Sequence, residues 1–292
     1  TMRTESLYEC QFVSFSFAWR PGRNTTQALE LLLEHLKSPK DLFIIKLDIK
    51  EFFPTIPHDL LLGYIRETIA DECLLDLISR FLRVGIELPN SSSECGVHQG
   101  NILSGLLANI FLHYTLDTWF VAEFQKTIGN GCSMVRYGDD VVIVIEMNES
   151  FNEAQIWQLL KSRFAECGIS MNMEKTSPIK LQAGSGFQKL PYLGYVLMIN
   201  NGLDQREVWV RVPRNKANEK IENIRDIINE AETMEVKYEK INNVLKGFYQ
   251  YYCFDTCNND LKYLRHTAQY EWSQYLKGQG INISAYPLAK II

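Results

Sequence analysis

The chain has 292 residues, of which 46% are hydrophobic and 22% charged, a composition that excludes a disordered or fibrous protein. No run of about 18 apolar residues occurs, and the opening TESLYECQF (4–12) lacks the apolar core of a signal peptide, so no membrane partner is expected and the protein is placed in the cytoplasm. A net charge of −5 argues against tight nonspecific binding to phosphate backbones.

From residue 201 onward 13 Lys and Arg stand against 12 Asp and Glu. The acidic excess therefore lies earlier, where metal-binding carboxylates would cluster. Seven cysteines at irregular spacing argue against a disulfide framework. Cys253 and Cys257 sit one helical turn apart, but a zinc site needs a second pair and only His266 follows, so buried or idle thiols are expected.

In chain order, Asn24 can cap a helix over about 25–38, with Ala28, Leu31, Leu32 and Leu36 at helical spacing. Leu42 to Asp48 is apolar and short enough for a buried strand. Pro57 and His58 open a helical stretch, and a second covers about 71–83. Residues 101–127 predict one long helix, because Leu103, Leu106, Leu107, Ile110 and Tyr114 form one apolar face. Met134–Tyr137 and Val141–Ile145 are β-prone runs separated by Gly138-Asp139-Asp140, a hairpin signal. A helix over 152–167 follows, then strands at Leu190–Ile199 and Val208–Val212. From about 213 the period is helical throughout, with stripes such as Ile221, Ile224, Ile228 and Leu261, Leu264, Ala268, Trp272. The pattern predicts an α+β body over 2–212 and a helical bundle over 213–292.

This arrangement sets Asp48 at the end of one strand and Asp139 and Asp140 at the tip of a hairpin. Carboxylates so placed must be solvated, paired or bound to a cation. If the strands are neighbours, the site suits Mg²⁺, which takes few carboxylates plus substrate phosphates. Two such ions can activate an attacking hydroxyl and stabilise a departing pyrophosphate. On its own a Gly-Asp-Asp turn is usually only a turn; the flanking residues decide otherwise.

LDIKEFFPTI (47–56), GVHQGNILSGLLANIFLHYTLD (96–117) and VRYGDDVVIV (135–144) resemble the first three catalytic motifs of reverse transcriptases. MNMEKTSPIKL (171–181) and LPYLGYVL (190–197) are similar to the fourth and fifth. FSFAWRPGR (15–23) resembles the SYGFRPGR-type block of group II intron reverse transcriptases, and VLKGFYQYY (244–252) the thumb helix of their domain X. These seven matches, in the family's order from about residue 8 to 277, identify the chain as a member of the group II intron-encoded reverse transcriptases.

The resemblance implies a polymerase palm, an antiparallel sheet with packed helices, followed by an α-helical thumb. It implies an RNA-directed DNA polymerase using two Mg²⁺ ions, with Mn²⁺ as a substitute, on an RNA template, a DNA or RNA primer and dNTPs, with intron RNA as a further partner. Asp48 and Asp139 would ligate both metals, Asp140 would support them, and the Ile49 carbonyl would add a ligand. Phe53 would stand against the sugar 2′ carbon and exclude ribose, or else be a core aromatic. Gln99 and Gly100 would line the nucleotide and template. Lys175 would protonate the pyrophosphate or simply be exposed. Arg20 and Arg23 would contact template phosphates or face solvent. Leu193, Gly194 and Tyr195 would form a hairpin supporting the primer end.

The sequence departs from the family at Gly138, where Ala is usual; Gly-Asp-Asp also resembles RNA-dependent RNA polymerases. It departs again at His98-Gln99-Gly100-Asn101 and Ser104-Gly105, where Pro-Gln-Gly-Gly and Ser-Pro are usual. The chain begins near the second conserved block, so the amino-terminal fingers are expected to be absent or supplied by a protein partner. The alternatives are a non-catalytic, maturase-like RNA-binding remnant and an RNA-dependent RNA polymerase, the latter opposed by Phe53.

Overall fold

In the computed structural model, residues 2–84, 94–98, 102–129, 131–202 and 205–289 are described. The chain divides into two compact units, Thr1–Gly186 with Asn201–Arg206, and Phe187–Asn200 with Glu207–Ile292. The expected division after residue 212 lies elsewhere, because the strands after Gly186 group with the helices that follow them.

The first unit begins with α1 (Met2–Glu9) and α2 (Thr25–Leu36). Asn24 caps α2 as expected and shares a reciprocal capping box with Gln27. Strand β1 (Leu42–Leu47) leads into a short α3 (Phe52–Thr55), then α4 (His58–Thr68) and α5 (Glu72–Val84). The long helix predicted from the apolar face is present, but not as a regular α-helix. α6 (Ile102–Leu112) runs through π-helical turns at His113–Asp117 and Phe120–Phe124 into α7 (Gln125–Ile128). The wide turns loosen backbone carbonyls, and Arg163 donates to two of them, Thr115 O at 2.6 Å and Tyr114 O at 3.0 Å.

The hairpin signal is realised as β2 (Cys132–Tyr137) and β3 (Asp140–Glu146), followed by α8 (Glu153–Glu166) and β4 (Ser177–Leu181). Period reasoning overlooks β4, whose residues are mostly exposed and include Pro178, a residue that sheets confine to edges. It is an edge strand here: the four-stranded sheet has the order β2-β3-β1-β4, and its three pairings are antiparallel. Alternation splits β1 between two layers. Phe43, Ile45 and Leu47 join the main core with the long helix and α8, while α2 packs against β2 and β3.

The second unit carries β5 (Gly186–Tyr192), β6 (Tyr195–Asn201) and β7 (Arg206–Arg211) in a three-stranded sheet, order β5-β6-β7. The run expected as a strand at Leu190–Ile199 is two strands around Leu193 and Gly194, where the family resemblance implied a hairpin. Both residues have positive φ, 47° and 71°, as a tight two-residue hairpin of the I′ kind requires. Three helices follow, α9 (Arg214–Asn229), α10 (Met234–Tyr251) and α11 (Asn258–Gly278). Helix α9 packs against α10 and α11, and of the predicted stripe residues Ile221, Ile224, Leu261, Leu264, Ala268 and Trp272 are buried while Ile228 is half-buried. Arg211 ties the sheet to α11 through a bidentate pair with Asp260. Among the described residues, no helix is long and apolar enough to cross a membrane.

Candidate active site

β1 and β3 run antiparallel with Leu47 opposite Val141. One residue beyond that pair stand Asp48 on one strand and Asp140 on the other, with Asp139 at the hairpin tip. Asp48 is half-buried. Its amide donates to Thr176 Oγ1 at 3.2 Å, and its carbonyl accepts from the Asn172 amide at 2.8 Å. The segment before β4 thus braces the strand end.

Asp139 and Asp140 feel the neighbouring acids. Burial raises the pKa of Asp139, and the Asp48 carboxylate adds to the rise against its own backbone hydrogen bond and Arg136. Burial likewise raises Asp140; Lys46 opposes the rise, and Asp139 and Asp48 add to it. Concentrated, partly desolvated negative charge of this kind is relieved by a divalent cation. Among the described residues, no group of three or more His, Cys, Asp or Glu forms a ready-made metal cage. The donor set still fits Mg²⁺, which uses one or two carboxylates and draws its other oxygens from water and substrate phosphates.

Arg136, to which sequence reasoning assigned no role, fixes the turn. It lies on β2, two residues before Gly138, and is fully buried. Its guanidinium makes a bidentate pair with the equally buried Asp117, at 2.7 and 2.6 Å, and donates to Asn109 Oδ1 at 2.9 Å and to the Gly138 carbonyl at 3.2 Å. Burial works against the Asp117 carboxylate, but Arg136 and His113 hold its pKa below the ordinary range. The signal was present in the sequence: an arginine inside an apolar strand must find a buried partner.

Ile49 is buried and bridges to Met171. Phe52 is core, at 3% exposure, whereas Phe53 is only partly buried and packs edge-to-face on Phe52 and Trp19. The Phe53 carbonyl accepts from the Val97 amide at 2.8 Å, so Val97 adjoins it. Gln99 and Gly100 lie outside the described residues. Lys175 is exposed in the turn immediately before Thr176.

The two arginines of the 15–23 block differ. Arg20 is buried, paired with Glu9 at 2.7 Å, and donates to the Val13 and Ser16 carbonyls at 2.6 Å. This corrects the expectation of a template contact or a solvent-facing side chain, because its donors hold its own loop together. Arg23 is half-buried over the Phe17 ring. In the second unit, the Leu193-Gly194 turn is clasped by α10. Tyr251 Oη donates to the Leu193 carbonyl at 2.9 Å and Tyr252 Oη to that of Gly194 at 3.0 Å, while Tyr195 Oη donates to the Tyr251 carbonyl.

Residues 3–197 match the family described as "Reverse transcriptase (RNA-dependent DNA polymerase)", and the chain belongs to that family. Within it, the chain is similar to the group II intron-encoded protein LtrA of Lactococcus lactis, 38% identical over 112 residues that make up 37% of this chain and 18% of LtrA. It is 29% identical over 133 residues to the putative COX1/OXI3 intron 2 protein of Saccharomyces cerevisiae, covering 44% of this chain and 15% of that protein. The chain therefore spans under a fifth of these two relatives. Among solved structures, a Candida tropicalis telomerase in complex with a fragment of telomeric RNA superposes with a TM-score of 0.53 at 14% identity, over 99% of this chain and 56% of the telomerase chain. That likeness is one of fold and agrees with the α+β expectation.

Proposed function

We propose that the chain is the palm and thumb of an RNA-directed DNA polymerase of the group II intron kind. The observation that carries this reading is the meeting of Asp48, Asp139 and Asp140 at the adjoining ends of β1 and β3, in a chain of the reverse transcriptase family. The four-stranded unit takes the palm role and α9–α11 the thumb role.

Asp48 and Asp139 hold the metal ions, with Asp140 and the Ile49 carbonyl in support. Two bound Mg²⁺ or Mn²⁺ ions supply activation of the primer hydroxyl and charge stabilisation at the leaving pyrophosphate. The chain's own residues align the reactants. In this reading Gln99 and Gly100 bind the dNTP, and Phe53 excludes a ribose 2′-hydroxyl. On the same reading Lys175 gives a proton to pyrophosphate. Arg23 takes the template backbone, and the Leu193-Gly194-Tyr195 hairpin takes the primer strand.

With an RNA template, a DNA primer, dNTPs and Mg²⁺, the purified chain is expected to extend the primer. EDTA should stop extension and added Mg²⁺ restore it. RNA binding without extension at any metal concentration would favour the second reading, a maturase-like RNA-binding protein. A 28% identical stretch of a nuclear intron maturase of Arabidopsis thaliana is the observation that keeps that reading in view. Extension with ribonucleotides in preference to dNTPs would favour an RNA polymerase instead.

Phe53→Ala should relax sugar discrimination by roughly 10-fold or more, the scale of a lost steric exclusion in a shaped pocket. Competition between dTTP and UTP in primer extension reads this directly. An unaltered ratio would remove Phe53 from the sugar site.

A further inference from the structure

The block Phe15–Arg23 carries Trp19 where the resembling family block carries Phe. Trp19 is 42% exposed and has φ of 54°, a left-handed backbone that is costly for a bulky residue and persists only when its surroundings over-determine it. They do so here from both sides. The Ala18 carbonyl before it accepts from Asn109 Nδ2 at 2.7 Å, and Arg20 after it is locked to Glu9, Val13 and Ser16. Asn109 in turn is bonded to Arg136, so the network that fixes the catalytic turn also aims the indole.

The indole fits only because two positions lack a side chain. A Cβ at Gly105 would stand 2.7 Å from Trp19 Cγ, and one at Gly138 2.8 Å from Trp19 Cη2. These are two of the positions where the sequence departs from its family, Gly for Pro and Gly for Ala. The same ring meets Phe53 edge-to-face, with centroids 5.5 Å apart and planes at 78°. Phe53 sits on a helix of only four residues, and the other ring against it is its neighbour Phe52, so Trp19 is the aromatic contact it gains from a distant segment.

We propose that Trp19 is a positioning residue that sets sugar specificity. Wedged against Gly105 and Gly138, it holds the Phe53 ring against the incoming deoxynucleoside triphosphate and joins that ring to the catalytic turn. A gate discriminates a single hydroxyl only while it cannot retreat, and Trp19 blocks the retreat. The inference rests on the polymerase reading above.

The test is primer extension with competing dTTP and UTP by Trp19→Ala, Trp19→Phe, Phe53→Ala and the Trp19→Ala/Phe53→Ala double variant, with thermal melting alongside. Trp19→Ala is expected to lose discrimination by roughly 10-fold or more, and the double variant to lose no more than Phe53→Ala alone, since both act through one ring. Trp19→Phe should keep most of the discrimination. Additive losses, or unchanged discrimination in a folded Trp19→Ala variant, would overturn the proposal. Should Trp19→Ala fail to fold, a second cycle decides. Gly138→Ala should impair extension more beside Trp19 than beside Trp19→Phe, and equal impairment would overturn the wedge. An inactive parent sinks the polymerase reading and this inference together; an active parent with unchanged sugar selectivity sinks only the inference.

Discussion

Asp139→Asn is expected to leave the fold intact and to lower primer extension by at least on the order of 10²–10³-fold, the loss that follows removal of one preorganised charge partner from a reaction centre. The substitution keeps the shape of the side chain at the hairpin tip and removes the negative charge that a shared metal ion needs. Because like charges crowd this corner, removing one also lessens repulsion in the metal-free protein. Melting should therefore show an unchanged or slightly raised midpoint while activity disappears. That opposite movement of stability and activity separates a catalytic carboxylate from a structural one. A variant that extends primers like its parent would mean that the Gly138-Asp139-Asp140 turn is not the reaction centre.

Arg136→Met should do the reverse and damage stability first. It leaves the Asp117 carboxylate buried without its partner, a change that costs about 3–5 kcal/mol and lowers the melting temperature by on the order of 10 °C for a unit of this size. Adding Asp117→Leu removes the orphaned charge, so the double variant should recover much of the loss in chemical denaturation. Extension should not recover with it, because the Gly138 carbonyl still lacks its donor. Parallel recovery of both would make the pair a stability element with no hold on the turn. The pair also sets a pH dependence. The folded pKa of Asp117 is depressed, so its contribution is fully present above the unfolded pKa and drains away as pH falls through the lower folded value. Asp117→Asn should flatten that acid limb.

Much of this architecture is legible in the sequence because it rests on local signals. The hairpin is written in two β-prone runs around a glycine, α2 in its capping residue, and the long helix in the spacing of Leu106, Leu107 and Ile110. The position of Asp139 follows from the hairpin, and that of Asp48 from the apolar run that becomes β1. What the sequence hides is settled between distant segments. β4 has a polar, proline-containing pattern and becomes a strand only because β1 offers it an edge. Arg20 reads as a free cation until Glu9 and two carbonyls are brought to it by the fold. The split at Leu193-Gly194, reached through the resemblance, needs two left-handed residues in succession, one of them a leucine, which no propensity alone anticipates. Arg136 and Asp117 lie 19 residues apart and read separately as a strand charge and the end of a helical motif. Likewise the need for glycine at position 105 is invisible until Trp19 is seen lying against it.

The π turns at His113–Asp117 and Phe120–Phe124 make angular phase, more than length, the guarded property of the central helix. Each residue of α-helix is worth about 100° of rotation. Excising a single residue from the first wide turn would tighten it and swing Asp117 out of line with its guanidinium, though the helix would lose only a small part of its length. This stretch of chain should therefore tolerate exchange of one apolar side chain for another far better than a change in residue count.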